Sequence, residues 1–281
     1  MEPLPYYYRK GRESERLISL KKILIEKCEK CNGTGLRSKS QVTFTKGKSL
    51  LDVENELIEK RVKCSCFKKY KKIEKFLISG IRREFWECET WDLYNSDRNV
   101  QNWKYIRTYI KNLPIARQKG IGFVFYGGNG TGKTSGGMLI LLKALRLGFN
   151  VYYTYMRDLI SEIRTLTLSD KAYNIPEVKG YIDEISEVDL LFIDEVGKTK
   201  ISDFTEKEFE GFIRKRVANG LPTILATNLK KKKIFEIYGE SLDDLLWGNM
   251  KELKFEGVSY RKVSKTKVVD ELFKTKKGVR K

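Results

Sequence analysis

The chain has 281 residues, of which 41% are hydrophobic and 33% charged, and Lys and Arg outnumber Asp and Glu by 56 to 37. That hydrophobic share excludes a globally disordered chain, and the length suits one α/β domain with a smaller companion. A formal charge of +19, with no histidine to modify it, favours an anionic partner, nucleic acid, over a charge kept for solubility alone.

No apolar stretch approaches the ~20 residues of a membrane span, and the start of the chain, Met1–Tyr8, lacks the apolar core of a signal peptide. The expectation is a cytoplasmic protein with no membrane partner. Its five cysteines then read as metal ligands or reduced thiols rather than disulfides.

All five cysteines fall in the first part of the chain, none beyond Cys88. Cys28-x-x-Cys31, followed by a glycine-rich turn, and the tighter Cys64-x-Cys66 can deliver four thiolates to one tetrahedral zinc. Four thiolates leave no open position, so the expected role is structural; the alternative is a set of unrelated reduced thiols. Cys88 is expected to be a core cysteine. Glu56–Lys60 and Phe67–Ile78 read as basic amphipathic helices on either side of the second pair. The polar stretch Asn95–Asn99 marks the expected boundary, giving units 1–95 and 96–281. Trp103–Leu113 has helical spacing, with Trp103, Ile106, Ile110 and Leu113 on one side and Pro114 ending or bending it.

From Gly122 onward strands and helices alternate. The expected order is strand Phe123–Tyr126, helix Lys133–Leu147, strand Asn150–Tyr155, helix Met156–Leu166, then a loop with a short helix. Strand Leu190–Asp194, helix Asp203–Ala218, strand Thr223–Thr227 and a last strand near Leu253–Glu256 complete it. Such alternation predicts an α/β fold, a parallel sheet flanked by helices.

Between the first strand and its helix lies Gly127-Gly128-Asn129-Gly130-Thr131-Gly132-Lys133-Thr134. This is the phosphate-binding loop in its required strand–loop–helix setting. Glycines let successive N–H groups turn inward around an anion, and the helix adds its positive dipole end. Lys133 would reach the β- and γ-phosphates of ATP, and the Thr134 hydroxyl would hold Mg²⁺. The apolar run Leu190–Ile193 ends in Asp194 and Glu195, at the strand end where ligands sit in such sheets. Asp194 would hold Mg²⁺ and Glu195 would polarise the attacking water. Asn228, after the strand Thr223–Thr227, can orient that water or read the γ-phosphate. Lys68–Lys72, Lys230–Lys233 and the basic tail Lys265–Lys281 make non-specific binding of single-stranded nucleic acid plausible when taken with the net charge.

From Gly122 to Arg261 the chain resembles the AAA+ ATPase module of helicase loaders of the DnaC/DnaI type and of the related IstB transposition helpers. The resemblance rests on Gly127–Thr134, Leu191–Gly197, Arg216 with Leu221–Ile224, Thr227–Leu229, and Gly248-Asn249 leading to Ser259-Tyr260-Arg261. The cysteine region resembles the zinc-binding front end of the DnaI kind of loader, which IstB proteins lack. The resemblance implies a sensor-1 role for Asn228, a γ-phosphate contact in cis for Arg261, and a place near a subunit boundary for Arg216. It also implies an arginine finger at a position that here carries Asp244, so Arg214 or Arg216 takes that task or hydrolysis is weak. The expected function is an ATP-dependent loader of a DnaB-type hexameric replicative helicase onto single-stranded DNA. Residues 1–95 would grip the helicase, and the chain would form a homo-oligomer in its ATP state or on the helicase. An IstB-like transposition ATPase and a nucleotide-gated adaptor with little turnover are the alternatives.

Overall fold

The computed structural model describes residues 18–44, 55–86, 99–168, 176–197, 203–230, 233, 236, 248 and 250–259. The chain divides into two compact units, Tyr8–Ile78 and a larger one that holds Ser79–Lys281.

In the smaller unit a π-helical turn, Lys22–Glu26, leads into the first cysteine pair. Strands β1 (Leu36–Phe44) and β2 (Asn55–Lys63) form an antiparallel hairpin, with Leu36 opposite Lys63 and Phe44 opposite Asn55. Helix α1 (Ser65–Ile78) follows and buries Tyr70 and Phe76. The helix expected over Glu56–Lys60 is therefore a strand. Its charged residues favour helix only weakly, and pairing along the full length of β1 overrides that preference. The second helical expectation, Phe67–Ile78, lies within α1. Lys68, Lys69, Lys71 and Lys72 are exposed on it.

In the larger unit α2 (Val100–Lys111) and α3 (Leu113–Gln118) precede a five-stranded sheet. Pro114 falls in the first turn of α3, where its missing N–H costs nothing, so it begins a helix rather than merely ending one. The sheet comprises β3 (Gly122–Gly127), β4 (Val151–Tyr155), β5 (Leu190–Val196), β6 (Thr223–Thr227) and β7 (Met250–Phe255), in the order β4-β5-β6-β3-β7. All its pairings are parallel. Helix α4 (Lys133–Arg146) follows β3, α5 (Met156–Leu168) follows β4, α6 (Pro176–Glu187) precedes β5, and α7 (Asp203–Ala218) lies between β5 and β6.

Alternation along the strands sorts the core into two layers. Val124, Tyr152, Leu191, Ile193 and Leu225 pack with Met156, Ile160, Ile185, Phe209 and Ile213 of α5, α6 and α7. On the opposite face α4 is buried almost throughout. There Gly137 sits against Phe192; a Cβ on it would meet that ring at 2.3 Å, so only glycine lets α4 lie this close to β5. Burial of this kind is the main term holding the domain together, at about 25 cal/mol per Å².

Candidate functional site

The phosphate-binding loop sits where β3 ends between β6 and β7. Gly127 (φ 134°) turns the chain out of the sheet, and a Cβ there would lie 2.0 Å from the Phe255 carbonyl oxygen of β7. Thr131 Oγ1 donates to the Gly128 carbonyl at 2.8 Å, locking the loop across its own width. Lys133 Nζ, in a largely buried side chain, donates to the Gly127 and Gly128 carbonyls at 2.8 and 2.5 Å. Its ammonium therefore lies over the loop that its own backbone frames.

Asp194 meets that loop from β5. Its Oδ2 accepts from Thr134 Oγ1 at 2.8 Å and from the Tyr153 hydroxyl at 3.3 Å. Its Oδ1 accepts from the Glu195 N–H at 2.8 Å. Burial raises the Asp194 pKa above the usual carboxylate range, while the Thr134 and Tyr153 hydroxyls and the Glu195 N–H pull the other way. A carboxylate so held against its own desolvation is suited to a cation. Because Thr134 gives its proton to Asp194, its oxygen lone pairs stay available to the same cation.

Glu195 is exposed, and its backbone is left-handed (φ 61°), beside a register irregularity between β5 and β6. One cavity is lined by Asn129, Gly130, Lys133, Thr134, Asp194, Glu195 and Asn228 together. Thr227, just before Asn228, donates from Oγ1 to the Val196 carbonyl at 2.8 Å and accepts from the Leu229 N–H at 3.0 Å. That clamp fixes the turn carrying Asn228. The arrangement offers an anion cradle, a cation pair in Thr134 and Asp194, an exposed carboxylate and an amide, all facing one space.

Arg216 does not join them. It is fully buried beneath the opposite ends of the strands, donating to Thr223 Oγ1 (3.0 Å) and to the carbonyls of Ile185, Ser186, Val188 and Pro222 at 2.9–3.1 Å. Burial lowers its pKa to about 9, so it remains charged at neutral pH. Its guanidinium is spent on tying β5, β6 and α6 together, which corrects the expectation of a subunit-boundary role: no part of it is presented to a neighbour. Arg214 is half exposed and pairs with Glu210 at 2.7 Å. Arg261, Asp244, Cys88, Lys231 and Lys232 lie outside the described residues.

In the smaller unit Cys28, Cys31, Cys64 and Cys66 bring their sulfurs within 4.8 Å of one another. The Cys28–Cys64 and Cys31–Cys66 separations are 4.0 and 3.5 Å. Tetrahedral zinc with sulfur ligands at ~2.3 Å needs edges of about 3.8 Å, so the set fits that ion. The Gly35 N–H donates to Cys31 Sγ at 3.2 Å, and the Cys64 N–H to the Gly35 carbonyl at 2.8 Å. The glycine-rich turn thus joins the two pairs. The Cys66 backbone N–H draws the Cys64 thiol down to about 6, whereas burial and the neighbouring thiols push Cys66 up.

Two residues of the site escape a reading of motifs. Asn99, taken from sequence as part of a polar boundary, accepts from the Glu256 N–H at 2.9 Å and donates to the Glu256 carbonyl at 3.0 Å, with a longer bond of 3.4 Å to the Thr131 carbonyl. It pins the end of β7 to the phosphate-binding loop. Tyr153 supports Asp194 from inside the sheet. Its only sequence signal is an aromatic in a strand, which is ordinary core. Among the described residues no helix is long and apolar enough to cross a membrane.

The sequence profile of the IstB-like ATP binding proteins matches residues 110–268. A replicative helicase loader DnaC of Buchnera aphidicola subsp. Acyrthosiphon pisum is 28% identical over 188 residues, covering 66% of this chain and 74% of its own. Among solved structures, the DnaC helicase loader superposes with a TM-score of 0.54 at 19% identity, over 62% of this chain and all of that one. DnaI gives 0.52 at 17% identity, over 62% and 94%. At such identities the structural matches speak for the fold: an α/β fold with a parallel five-stranded sheet flanked by helices, like that of these two structures.

Proposed function

Since the chain belongs to the family of IstB-like ATP binding proteins, we propose that it is an ATP-dependent loader of a DnaB-type replicative helicase onto single-stranded DNA, with the nucleotide bound at the cavity framed by Gly127–Thr134. The observation that carries this reading is the convergence of Lys133, Thr134, Asp194, Glu195 and Asn228, from three strand ends, on one space. In it, Lys133 leaves the loop carbonyls for the β- and γ-phosphates, and the N–H groups of Asn129–Thr134 hold the remaining charge. Thr134 and Asp194 would hold Mg²⁺, which would supply charge neutralisation at the phosphates. Glu195, exposed to the cavity, polarises the attacking water, and Asn228 fixes that water's position. Arg261 is assigned the γ-phosphate contact from the matched motif alone.

Zinc on Cys28, Cys31, Cys64 and Cys66 would staple the smaller unit, whose role is docking to the helicase. The exposed lysines of α1 in the smaller unit, and separately Lys230 and Lys233 in the larger one, would contact a DNA backbone without reading its sequence. Subunits would assemble in the ATP state or on the helicase. Resemblance to loaders named for DnaC supports this partner choice over a transposase.

The burial of Arg216 favours a second reading. One of the two candidate replacements for an arginine finger is thereby lost, and the other, Arg214, is engaged with Glu210. A nucleotide-gated adaptor that binds ATP and turns it over slowly fits that arrangement.

The test is co-purification of the full chain with the replicative helicase hexamer, with ATP bound and turnover measured with and without single-stranded DNA. Capture of the hexamer with DNA-stimulated turnover supports the loader, capture without turnover supports the adaptor, and capture of a transposase in its place overturns both. Lys133→Ala should lower ATP affinity tenfold or more, about 1.4 kcal/mol. Unchanged affinity would remove the nucleotide site altogether.

A further inference from the structure

Asp194 is held from two sides, and the nucleotide-site reading uses only one of them. Thr134 approaches Oδ2 from α4, and the Tyr153 hydroxyl approaches the same oxygen from β4. Tyr153 is itself buried, at 2% exposure, and its ring is wedged between Tyr155 and Phe192, with centroids 5.3 Å away from each. Its hydroxyl faces Asp194 Oδ2 at 3.3 Å, where a phenol donates and a carboxylate oxygen accepts. Placed inside the sheet, it cannot itself reach a phosphate. Its one polar contact with the site holds Asp194 in place beside Thr134.

Behind Tyr153 lies a strap. The Tyr153 N–H donates to the Ser79 carbonyl at 2.9 Å, so residues from Ser79 onward lie against the free edge of the sheet at β4. Gly80 (φ 67°) lets the strap pass the Tyr153 carbonyl, which a Cβ would approach to 2.6 Å. The strap is pinned by Trp86, whose Nε1–H donates to the Ile81 carbonyl at 2.7 Å and whose own carbonyl accepts from Arg146 Nη2 at 3.3 Å. It carries Arg82, whose guanidinium stacks on Phe85 at 5.1 Å, pairs with Glu84 at 2.6 Å and lies within bonding reach of Tyr155. Among the described residues Arg82 Nε is buried without a hydrogen-bond partner. A cation is thus set beside the tyrosine pair that backs Asp194.

We propose that Tyr153 is a positioning residue of the magnesium site and that the strap Ser79–Trp86, through Arg82, sets how firmly it holds Asp194. The inference rests on Asp194 being the magnesium residue. A hydroxyl donating to a carboxylate in a buried setting matters most when the carboxylate must stay charged. Loss of that donor should therefore weaken Mg²⁺ binding while leaving the phosphate cradle intact.

The test is a Mg²⁺ titration of ATP binding by the full chain, alongside ATP affinity measured in excess EDTA. Tyr153→Phe keeps the ring and removes the hydroxyl. Half-saturating Mg²⁺ should rise roughly three- to tenfold, the range for losing one ordinary intramolecular hydrogen bond, as suits a bond as long as 3.3 Å, and affinity in EDTA should stay at the parental value. Arg82→Gln should move the midpoint in the same direction by less, Arg82→Lys should restore part of it, and Arg82→Gln should add nothing in a Tyr153→Phe background. Asp194→Asn separates the two failures. If Asp194→Asn abolishes Mg²⁺ dependence while Tyr153→Phe leaves it at the parental midpoint, the positioning role is overturned. If Asp194→Asn leaves it unchanged, the magnesium reading itself falls. An equal Arg82→Gln shift with and without Tyr153 overturns the strap's part.

Discussion

Glu195 holds a backbone conformation that glycine would adopt at no cost. Its left-handed φ of 61° carries a strain of about 1–2 kcal/mol for a residue with a Cβ. Glu195→Gly should therefore raise the midpoint of thermal unfolding even as hydrolysis disappears. Glu195→Gln keeps the backbone and the size, so it should melt with the parent and bind ATP while turnover collapses. Melting curves and phosphate release on the two variants check both halves. The neighbouring Asp194 gives a pH-dependent outcome. Its pKa is raised in the fold, chiefly by burial, so the folded chain holds the proton more tightly than the unfolded one. The metal-free protein then loses stability as pH climbs from the ordinary carboxylate range through the raised value. Asp194→Asn removes that cost and should melt above the parent at neutral pH, with the advantage shrinking as pH falls to where the parent is protonated. A constant difference across that window would show that ionisation at Asp194 is not what distinguishes them.

At the scale of elements, Arg216 is a tie among β5, β6 and α6. Arg216→Met leaves several buried carbonyls and Thr223 without their donor, so it should cost at least about 3 kcal/mol, a fall in melting midpoint of roughly 6 °C or more. A finger residue would lower turnover and leave melting alone. The cysteine hairpin makes a parallel case: recombinant protein should carry about one zinc, and Cys64→Ser should lose it with the fold of that unit. Elemental analysis of protein purified without chelators checks this. The same elements show what a sequence can and cannot convey. Strand–helix alternation from β3 to β6 is written locally in apolar runs, and the expected bounds of α7 and β6 agree with those observed. The phosphate-binding loop and the Asp194–Glu195 pair are legible because their chemistry requires contiguous residues. By contrast, β2 reads as helix because its partner strand is hidden in the separation, and Arg216, given a subunit-boundary place by the resemblance, carries no local sign of a tie whose acceptors come from other segments. Asn99 finds its partner at Glu256, 157 residues on, which no local pattern announces.

For the whole molecule, the surplus of +19 should appear as a salt slope. Affinity for single-stranded DNA should fall log-linearly with salt, by about 0.7 per phosphate contacted. ATP should strengthen binding if subunits align along one strand. Replacing Lys230–Lys233 by Ala should flatten the slope if that cluster touches phosphate. A flat slope in the parent would assign the charge to helicase docking or solubility instead. The sheet order has another consequence, in time rather than in space. Of the described strands β7 is the last to be made, and it pairs directly with β3 at Gly127–Phe255. Phe255 also seats against Phe125 and Trp103, with ring centroids 5.2 and 6.0 Å away. A nascent chain that has exposed every residue through Asn228 already carries both phosphate motifs, yet its loop has no wall behind it and Asn99 has no Glu256 to hold. On a translating ribosome the site closes only when residues 250–256 emerge, so a nascent chain exposed only as far as Lys233 should not retain ATP, and one exposed past Glu256 should.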